Sequence, residues 1–394
     1  MSDQDAPDRR TFIVVGAGLA GMRACTTLRR KGFTGRLVLI GGEPHLPYDR
    51  PPLSKDVLRG KKDSTALPFD PAKLDLEVRL NTRATGLDAA ARQLTTRGPD
   101  GESTESFDAL VIATGATPIR LPGDGEQLVL RTIEDALVLR DRLVDGARVV
   151  IIGGSWIGAE VATVAREHGC RVTCLEAGPA PLAQALGSEI ADRLRGWWDG
   201  IDLRVDTAVS RIDPSDSDRG AQVLLADGTV LAADVVVTGV GVRPDTGWLE
   251  GSGLTLQRGV VVDDRLIAAP GIVALGDIAS RDSARAGGRL SLEHWDEAST
   301  AGMLMAEALL DPENAAVYDP VPYFWSDQFG HKLQYVGHRG PADRIEIDEV
   351  DGELSAVRWF NAEDNLTAWL GVDLPKDLVK HRKAVGGPLQ QPVA

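Results

Sequence analysis

An α/β fold of two similar halves followed by a smaller α+β unit is predicted by three observations on this 394-residue chain. First, Phe12-Ile13-Val14-Val15-Gly16-Ala17-Gly18-Leu19-Ala20-Gly21 sets a Gly-x-Gly-x-x-Gly turn between an apolar β-branched run and a stretch of helical composition. Second, Val149-Val150-Ile151-Ile152-Gly153-Gly154-Ser155-Trp156-Ile157-Gly158 repeats that arrangement. Third, from about Pro322 onward the chain shows alternating strand patterns instead. A strand-turn-helix setting separates a nucleotide-binding turn from a chance match, so two Rossmann-like dinucleotide-binding units are expected.

The elements follow in order. A strand at about Thr11–Val15 leads through the first turn to a helix from about Leu19 to Lys31 and a strand at Arg36–Ile40. Glu43 then falls about 22 residues beyond Gly21, near where a Rossmann unit places the acid that holds a ribose diol. The second unit repeats the plan with a helix to about His168, a strand at Arg171–Leu175, and Glu176. In the first turn Gly16 permits the tight bend, Gly18 the approach of backbone to a pyrophosphate, and Gly21 close helix packing. The helix N-terminus turns its free N–H groups toward the phosphates. Ser155 departs from this pattern, since it stands where glycine allows the nearest approach. Ala113-Thr114-Gly115 and Gly239-Val240-Gly241 close the two units with small residues at a sheet's carboxyl edge. Pro99-Asp100-Gly101 and Ala226-Asp227-Gly228 mark hairpins. After about Gly247 come further strands ending at Ile272–Asp277, then one helix from about Asp296 to Leu310. The C-terminal unit has strands at about Gln334–Gly337, Arg344–Asp348 and Ser355–Phe360 and a short terminal helix. The tail from Gly386 to Ala394 reads as loose.

Composition bounds the function. A net charge of −15 argues against general affinity for nucleic acid or an anionic membrane. No stretch approaches the roughly 20 apolar residues of a membrane span, and Met1 to Arg10 is polar and acid-rich, unlike a signal peptide. Cys25, Cys170 and Cys174 form no even disulfide framework and read as packed thiols, which fits a reducing cytoplasm.

Together with Pro47-Tyr48-Asp49-Arg50-Pro51-Pro52-Leu53-Ser54-Lys55, Gly241-Val242-Arg243-Pro244, Gly276-Asp277-Ile278-Ala279, Glu293-His294-Trp295 and Pro322-Tyr323-Phe324-Trp325-Ser326-Asp327-Gln328, these motifs resemble the glutathione-reductase-like flavoproteins of the pyridine-nucleotide-disulfide-oxidoreductase superfamily. Within it they are most similar to NADH-dependent ferredoxin reductases that serve Rieske oxygenases and cytochromes P450. The resemblance implies an FAD domain built from about 1–115 and 248–321, an NADH domain at 116–247, and a C-terminal α+β domain at 322–394. It also implies that Arg50 and Arg131 offset the FAD diphosphate and that Asp277, after Gly276, bonds the ribityl chain. Ala84 would meet adenine through its backbone. Glu293 and His294 would help bind the cofactor, with Trp295 beside the flavin pyrimidine edge and Trp325 near the isoalloxazine.

Lys55 and Glu160 would approach flavin N5, where a cation tunes the reduced ring; an interdomain salt bridge without redox consequence is the other reading. Trp156, one helical turn before Glu160, is either a displaceable lid over the nicotinamide position or a packed indole. Trp197, Trp198 and Trp248 read as core or interface. Glu176 favours NADH, because its carboxylate suits a 2′,3′-diol and repels a 2′-phosphate. Disulfide reductases of the superfamily carry a cysteine pair, and its peroxidase and coenzyme-A-disulfide branches one cysteine, between about Glu43 and Lys55; here that segment has none. Electrons would then leave the flavin directly. The chain has no cluster-ligating cysteine motif, so a separate, small acidic iron–sulfur ferredoxin is the expected acceptor. Arg281, Arg285 and Arg289 are either its docking patch or an ordinary solvated face. An NADH oxidase or quinone or dye reductase, and a redox-sensing interaction protein similar to apoptosis-inducing factor, are the alternatives.

Overall fold

A computed structural model describes residues 8–215, 220–385 and 387. The N-terminal segment before Asp8 and most of the tail after Val385 lie outside the described residues.

The first glycine turn sits in a six-stranded sheet with the order 267–269, 272–274, 109–112, 11–15, 36–40, 77–79. Thr11–Val15 pairs in parallel with both Arg36–Ile40 and Ala109–Ile112. These strands are apolar on both faces because helices or further strands cover each side, so they read as unbroken Val/Ile/Leu runs. Residues from 12–113 and from 249–318 fill one continuous core. The second turn sits in a four-stranded parallel sheet, Asp202–Arg204, Arg171–Leu175, Arg148–Ile152 and Val235–Thr238. An antiparallel ribbon, Ala116–Pro118 with Val242–Pro244, stands where the chain leaves the first sheet's neighbourhood and returns to it.

The C-terminal segment forms a five-stranded antiparallel sheet with the order 323–328, 331–337, 366–372, 353–360, 344–350. Two of its strands, Tyr323–Gln328 and Leu366–Val372, were absent from the expected set. Leu366–Val372 is buried almost throughout, which removes the polar alternation that marks a half-exposed strand. Its Gly371 is required: a Cβ there would lie 2.2 Å from the Trp369 ring. The single helix expected from Asp296 to Leu310 is two, Trp295–Leu304 and Ala306–Leu310, meeting at Met305. Both expected hairpins form, joining Gln93–Gly98 to Gly101–Ser106 and Ala221–Leu225 to Val230–Ala233.

Candidate functional site

The two glycine turns share one geometry. A Cβ on Gly16 would lie 2.0 Å from the Ala113 carbonyl oxygen, and one on Gly153 would lie 2.5 Å from that of Gly239. A Cβ on Gly21 or Gly158 would lie 1.9 or 2.0 Å from the carbonyl oxygen of the turn's own first glycine. Each turn is thus locked between its helix and the small residues closing the adjacent strand, which explains Ala113-Thr114-Gly115 and Gly239-Val240-Gly241. Ala17 packs beside Gly41, and Ala20 lies against Gly276. The Gly276-Asp277 segment therefore reaches the mouth of the first turn.

The turns differ at their middle letter. Gly18 is the N-cap of helix Leu19–Arg30, with no side-chain cap and no atom within 4 Å of the position a Cβ would take. Its helix N-terminus keeps unsatisfied N–H donors facing open space. Ser155 caps its own helix: its Oγ accepts from Gly158 N at 3.2 Å and donates to the Gly239 carbonyl at 2.8 Å. The hydroxyl folds into the turn, so Ser155 adds no bulk on the ligand side. Glu176 accepts from Gly154 N and Gly178 N, both at 2.7 Å. That fixes the carboxylate against the second turn, while Ile157 and Val240 remain exposed at its rim.

Around the first turn, Arg131 precedes a capping box in which Thr132 and Asp135 start helix Ile133–Arg142. The cap holds its backbone, and its guanidinium pairs with Asp277 at 2.7 Å. Glu43 accepts from Arg50 at 2.7 Å and from the Tyr48 hydroxyl at 2.5 Å. Tyr48, unassigned from sequence, also accepts from Ile133 N. Ala84 begins a bulged pairing on strand Arg83–Asp88 and packs against the first core. Burial, reinforced by Asp277, raises the Glu293 carboxyl above its ordinary value. Burial also pushes the His294 imidazole down to about 4, and its Nδ1 has no partner.

Aromatic rings seam the segments together. Trp156 meets Phe324 edge-on at 4.7 Å, and Phe324 lies 4.7 Å from His294. Trp295 donates to Asp49 at 2.6 Å and stands 6.0 Å from Trp325, which stacks on Tyr323. Trp197 stacks on His331, Trp198 is buried against Phe329, and Trp248 packs on the first core.

At the centre is Glu160, on the second turn of helix Trp156–Glu167 and 3 % exposed. Pro51 and Pro52 set a 3₁₀ turn through Ser54 that delivers Lys55, whose Nζ is 2.8 Å from Glu160 Oε2. Ser54 donates to the same oxygen. Glu160 Oε1 accepts from Ser326 Oγ at 2.6 Å and from Asp327 N at 3.1 Å. The carboxylate therefore ties together three parts of the chain that are distant in sequence. Ser54 and Ser326 lay inside quoted motifs, yet no spacing rule pointed to them.

The three arginines considered for docking do not form a cationic face. Arg281 is 2 % exposed, bonded to Glu297 at 3.0 Å and Asp319 at 2.8 Å. Arg285 binds the Asp319 carbonyl at 2.8 Å, and Arg289 pairs with Asp282. Strand Ala279–Ser283 turns Arg281 inward, where its charge is neutralised by two acids. Cationic surface lies instead on helix Leu378–Val385, where Lys380 and Lys383 are exposed. Arg382 of that helix pairs with Asp296 and lies over the Tyr323 ring.

Burial disfavours the thiolate at each of the three cysteines. Cys25 is fully buried with its thiol pushed up to about 12 by desolvation, and burial raises Cys174 and Cys170 as well. No helix is long and apolar enough to cross a membrane among the described residues.

Comparison with known proteins accords with this arrangement. Residues 10–302 match the family model described as pyridine nucleotide-disulphide oxidoreductase, and residues 323–390 match the one described as reductase C-terminal. The chain is 36 % identical over 384 residues to the ferredoxin reductase component of chlorobenzene dioxygenase from Cupriavidus sp. (strain PS12), covering 94 % of this chain and 91 % of that one. The rubredoxin-NAD(+) reductase of Pseudomonas putida is 31 % identical, at 97 % and 99 % coverage. Among solved structures, the ferredoxin reductase for the CYP199A2 system of Rhodopseudomonas palustris superposes with a TM-score of 0.87 at 32 % identity, covering 95 % of this chain and 94 % of that one. The covalent putidaredoxin reductase–putidaredoxin complex gives 0.86 at 28 %, with 95 % and 93 % covered. With this extent of agreement over both of its parts, the chain belongs to the pyridine nucleotide-disulphide oxidoreductase family and carries the reductase C-terminal domain.

Proposed function

We infer that this chain is an FAD-dependent NADH:ferredoxin reductase that passes single electrons to a separate iron–sulfur ferredoxin serving an oxygenase or a cytochrome P450. The observation that carries this reading is the buried Lys55–Glu160 pair, set where both nucleotide units and the C-terminal sheet meet, in a chain whose cysteines lie elsewhere. The residues suit FAD at the first turn: Gly18 faces open space, the helix above it is uncapped, and Arg131 lies within reach of Gly115. Bound there, FAD supplies two-electron acceptance from NADH and one-electron release to a metal cluster.

The chain's own residues hold and bias that chemistry. Gly16, Ala17, Gly18, Ala20 and Gly21 shape the phosphate turn, with Arg50 and Arg131 adding positive charge. Glu43, held by Tyr48 and Arg50, would hold the ribose, Ala84 the adenine and Asp277 the ribityl chain. Ala113, Thr114, Gly115, Gly276, Glu293, His294, Trp295 and Trp325 frame the rest. The Lys55 ammonium would border the flavin ring and favour negative charge on it. NADH would be held along Gly153, Gly154, Ser155, Trp156, Ile157 and Gly158, with Gly239, Val240 and Gly241 at its border. Trp156, braced by Phe324, would cover the flavin face until nicotinamide displaces it. Three free thiols fit a reducing cytoplasm.

Glu176 sets the coenzyme. With ferredoxin as acceptor, kcat/KM for NADH is expected to exceed that for NADPH by at least about tenfold, or ~1.4 kcal/mol of discrimination. Glu176→Ala should narrow that ratio and weaken NADH as well, because Gly154 N and Gly178 N lose their acceptor. Equal efficiencies in the wild type would overturn the NADH assignment. For the partner, an acidic ferredoxin meets the exposed lysines of helix Leu378–Val385. Reversing Lys380 and Lys383 to Glu should raise the KM for ferredoxin about tenfold at low salt, an effect that fades as salt screens it. An unchanged KM would place docking elsewhere.

A further inference from the structure

We propose that Ser326, set by Gln328, is a positioning residue that fixes Glu160 and through it the Lys55 ammonium, so that the C-terminal domain completes the redox site. This rests on the reading that Lys55 borders the flavin. The argument begins with hydrogens. Ser326 is fully buried and its hydroxyl carries one proton and two lone pairs. The Gln328 amide, 2 % exposed, donates to Ser326 Oγ at 3.2 Å. The Ser326 proton is thereby directed to Glu160 Oε1 at 2.6 Å.

Glu160 is then surrounded by donors. Ser326 Oγ and Asp327 N serve one oxygen; Lys55 Nζ and Ser54 Oγ serve the other. With both oxygens doubly bonded the carboxylate cannot turn, and it holds the Lys55 ammonium in place. A second contact keeps strand Tyr323–Gln328 in register with the helix. Phe329 N donates to Thr163 Oγ at 2.9 Å, and Thr163 Oγ donates to the Ala159 carbonyl at 2.7 Å. Phe329 adopts a left-handed φ of 54° at this hairpin tip, and its ring packs on Trp198 and under Arg166. The hairpin is thus clamped to the Glu160 helix on both sides of the relay.

The test compares wild type with Ser326→Ala, Ser326→Thr, Gln328→Met and Lys55→Met. Two quantities are read: the rate at which acetic anhydride acylates Lys55, followed by peptide mass spectrometry in holoenzyme and flavin-free chain, and the reduction potential of bound FAD. Losing one hydrogen bond to a charged group should raise Lys55 acylation about tenfold in Ser326→Ala. Ser326→Thr should restore the wild-type rate, and Gln328→Met should produce a smaller change of the same sign. The FAD potential should fall in Ser326→Ala, by less than in Lys55→Met. A Ser326→Ala protein that is merely less stable, with wild-type acylation and potential, overturns the relay. If Ser326→Ala fails to fold, Gln328→Met decides by the same two readouts. Altered acylation without any change of potential in either Ser326→Ala or Lys55→Met would leave the relay standing and remove Lys55 from the flavin.

Discussion

Gly18→Ala is expected to fold like the wild type and emerge from purification depleted of FAD, whereas Gly21→Ala is expected to be strongly destabilised. The two glycines are three residues apart in one motif, and the structure assigns them opposite duties. Gly18 has φ −89° and ψ −168°, an extended backbone that alanine adopts freely, and a Cβ there meets nothing within 4 Å. Its stability cost should stay below about 1 kcal/mol, the range for losing a favourable N-cap residue. The added methyl would occupy the space where a phosphate must approach the helix N–H groups. Retention of FAD should therefore weaken by at least about tenfold, or ~1.4 kcal/mol. At Gly21 the Cβ would lie 1.9 Å from the Gly16 carbonyl oxygen and 3.2 Å from the Val14 side chain. Backbone cannot yield as a flexible side chain can, so the helix must lift from the sheet, at a cost of about 3 kcal/mol or more. FAD content by absorbance in each variant as purified, and thermal unfolding of each after its flavin is stripped, separate these outcomes. Full FAD content in Gly18→Ala would deny the first turn its phosphate.

Glu160→Ala should destabilise the chain by about 3–5 kcal/mol, the usual consequence of removing one partner of a buried ion pair. It leaves the Lys55 ammonium 15 % exposed without its counter-charge and strips an acceptor from Ser54, Ser326 and Asp327 N. Glu160→Gln should cost less, since its carbonyl still accepts two of the four bonds, while its NH2 faces donors. Chemical denaturation checks the order: wild type, then Glu160→Gln, then Glu160→Ala. If Glu160→Ala were as stable as the wild type, the three segments would not be joined through this carboxylate.

Local pattern carried much of the fold. The strands Thr11–Val15, Arg36–Ile40 and Arg171–Leu175 match their expected limits, because parallel strands buried on both faces are continuous apolar runs bounded by turn residues. The same property hid Leu366–Val372, which follows polar residues, contains Gly371 and has no alternation to count. The duplicated turns were legible because their chemistry is compressed into ten residues each. Ser155 was visible as an irregular letter, but its inward-folded hydroxyl is a three-dimensional fact. The Glu160 junction was half legible. Lys55 and Glu160 came from resemblance, whereas Ser54 and Ser326 meet Glu160 only after folding joins residues more than a hundred positions apart. The arginine cluster misled for the related reason that charge in sequence does not reveal burial. Arg281 points inward to Glu297 and Asp319, partners that no local window contains.

The most direct test of electron delivery is anaerobic sequential mixing, with NADH first and the acceptor second. Flavin absorbance and ferredoxin absorbance are followed in the same experiment. NADH should bleach the flavin in one fast phase. A small acidic iron–sulfur ferredoxin should then restore it in two one-electron steps, faster than rubredoxin, quinone or oxygen at equal concentration. Reoxidation by quinone or oxygen outpacing every ferredoxin would contradict the account and make this chain a small-molecule reductase.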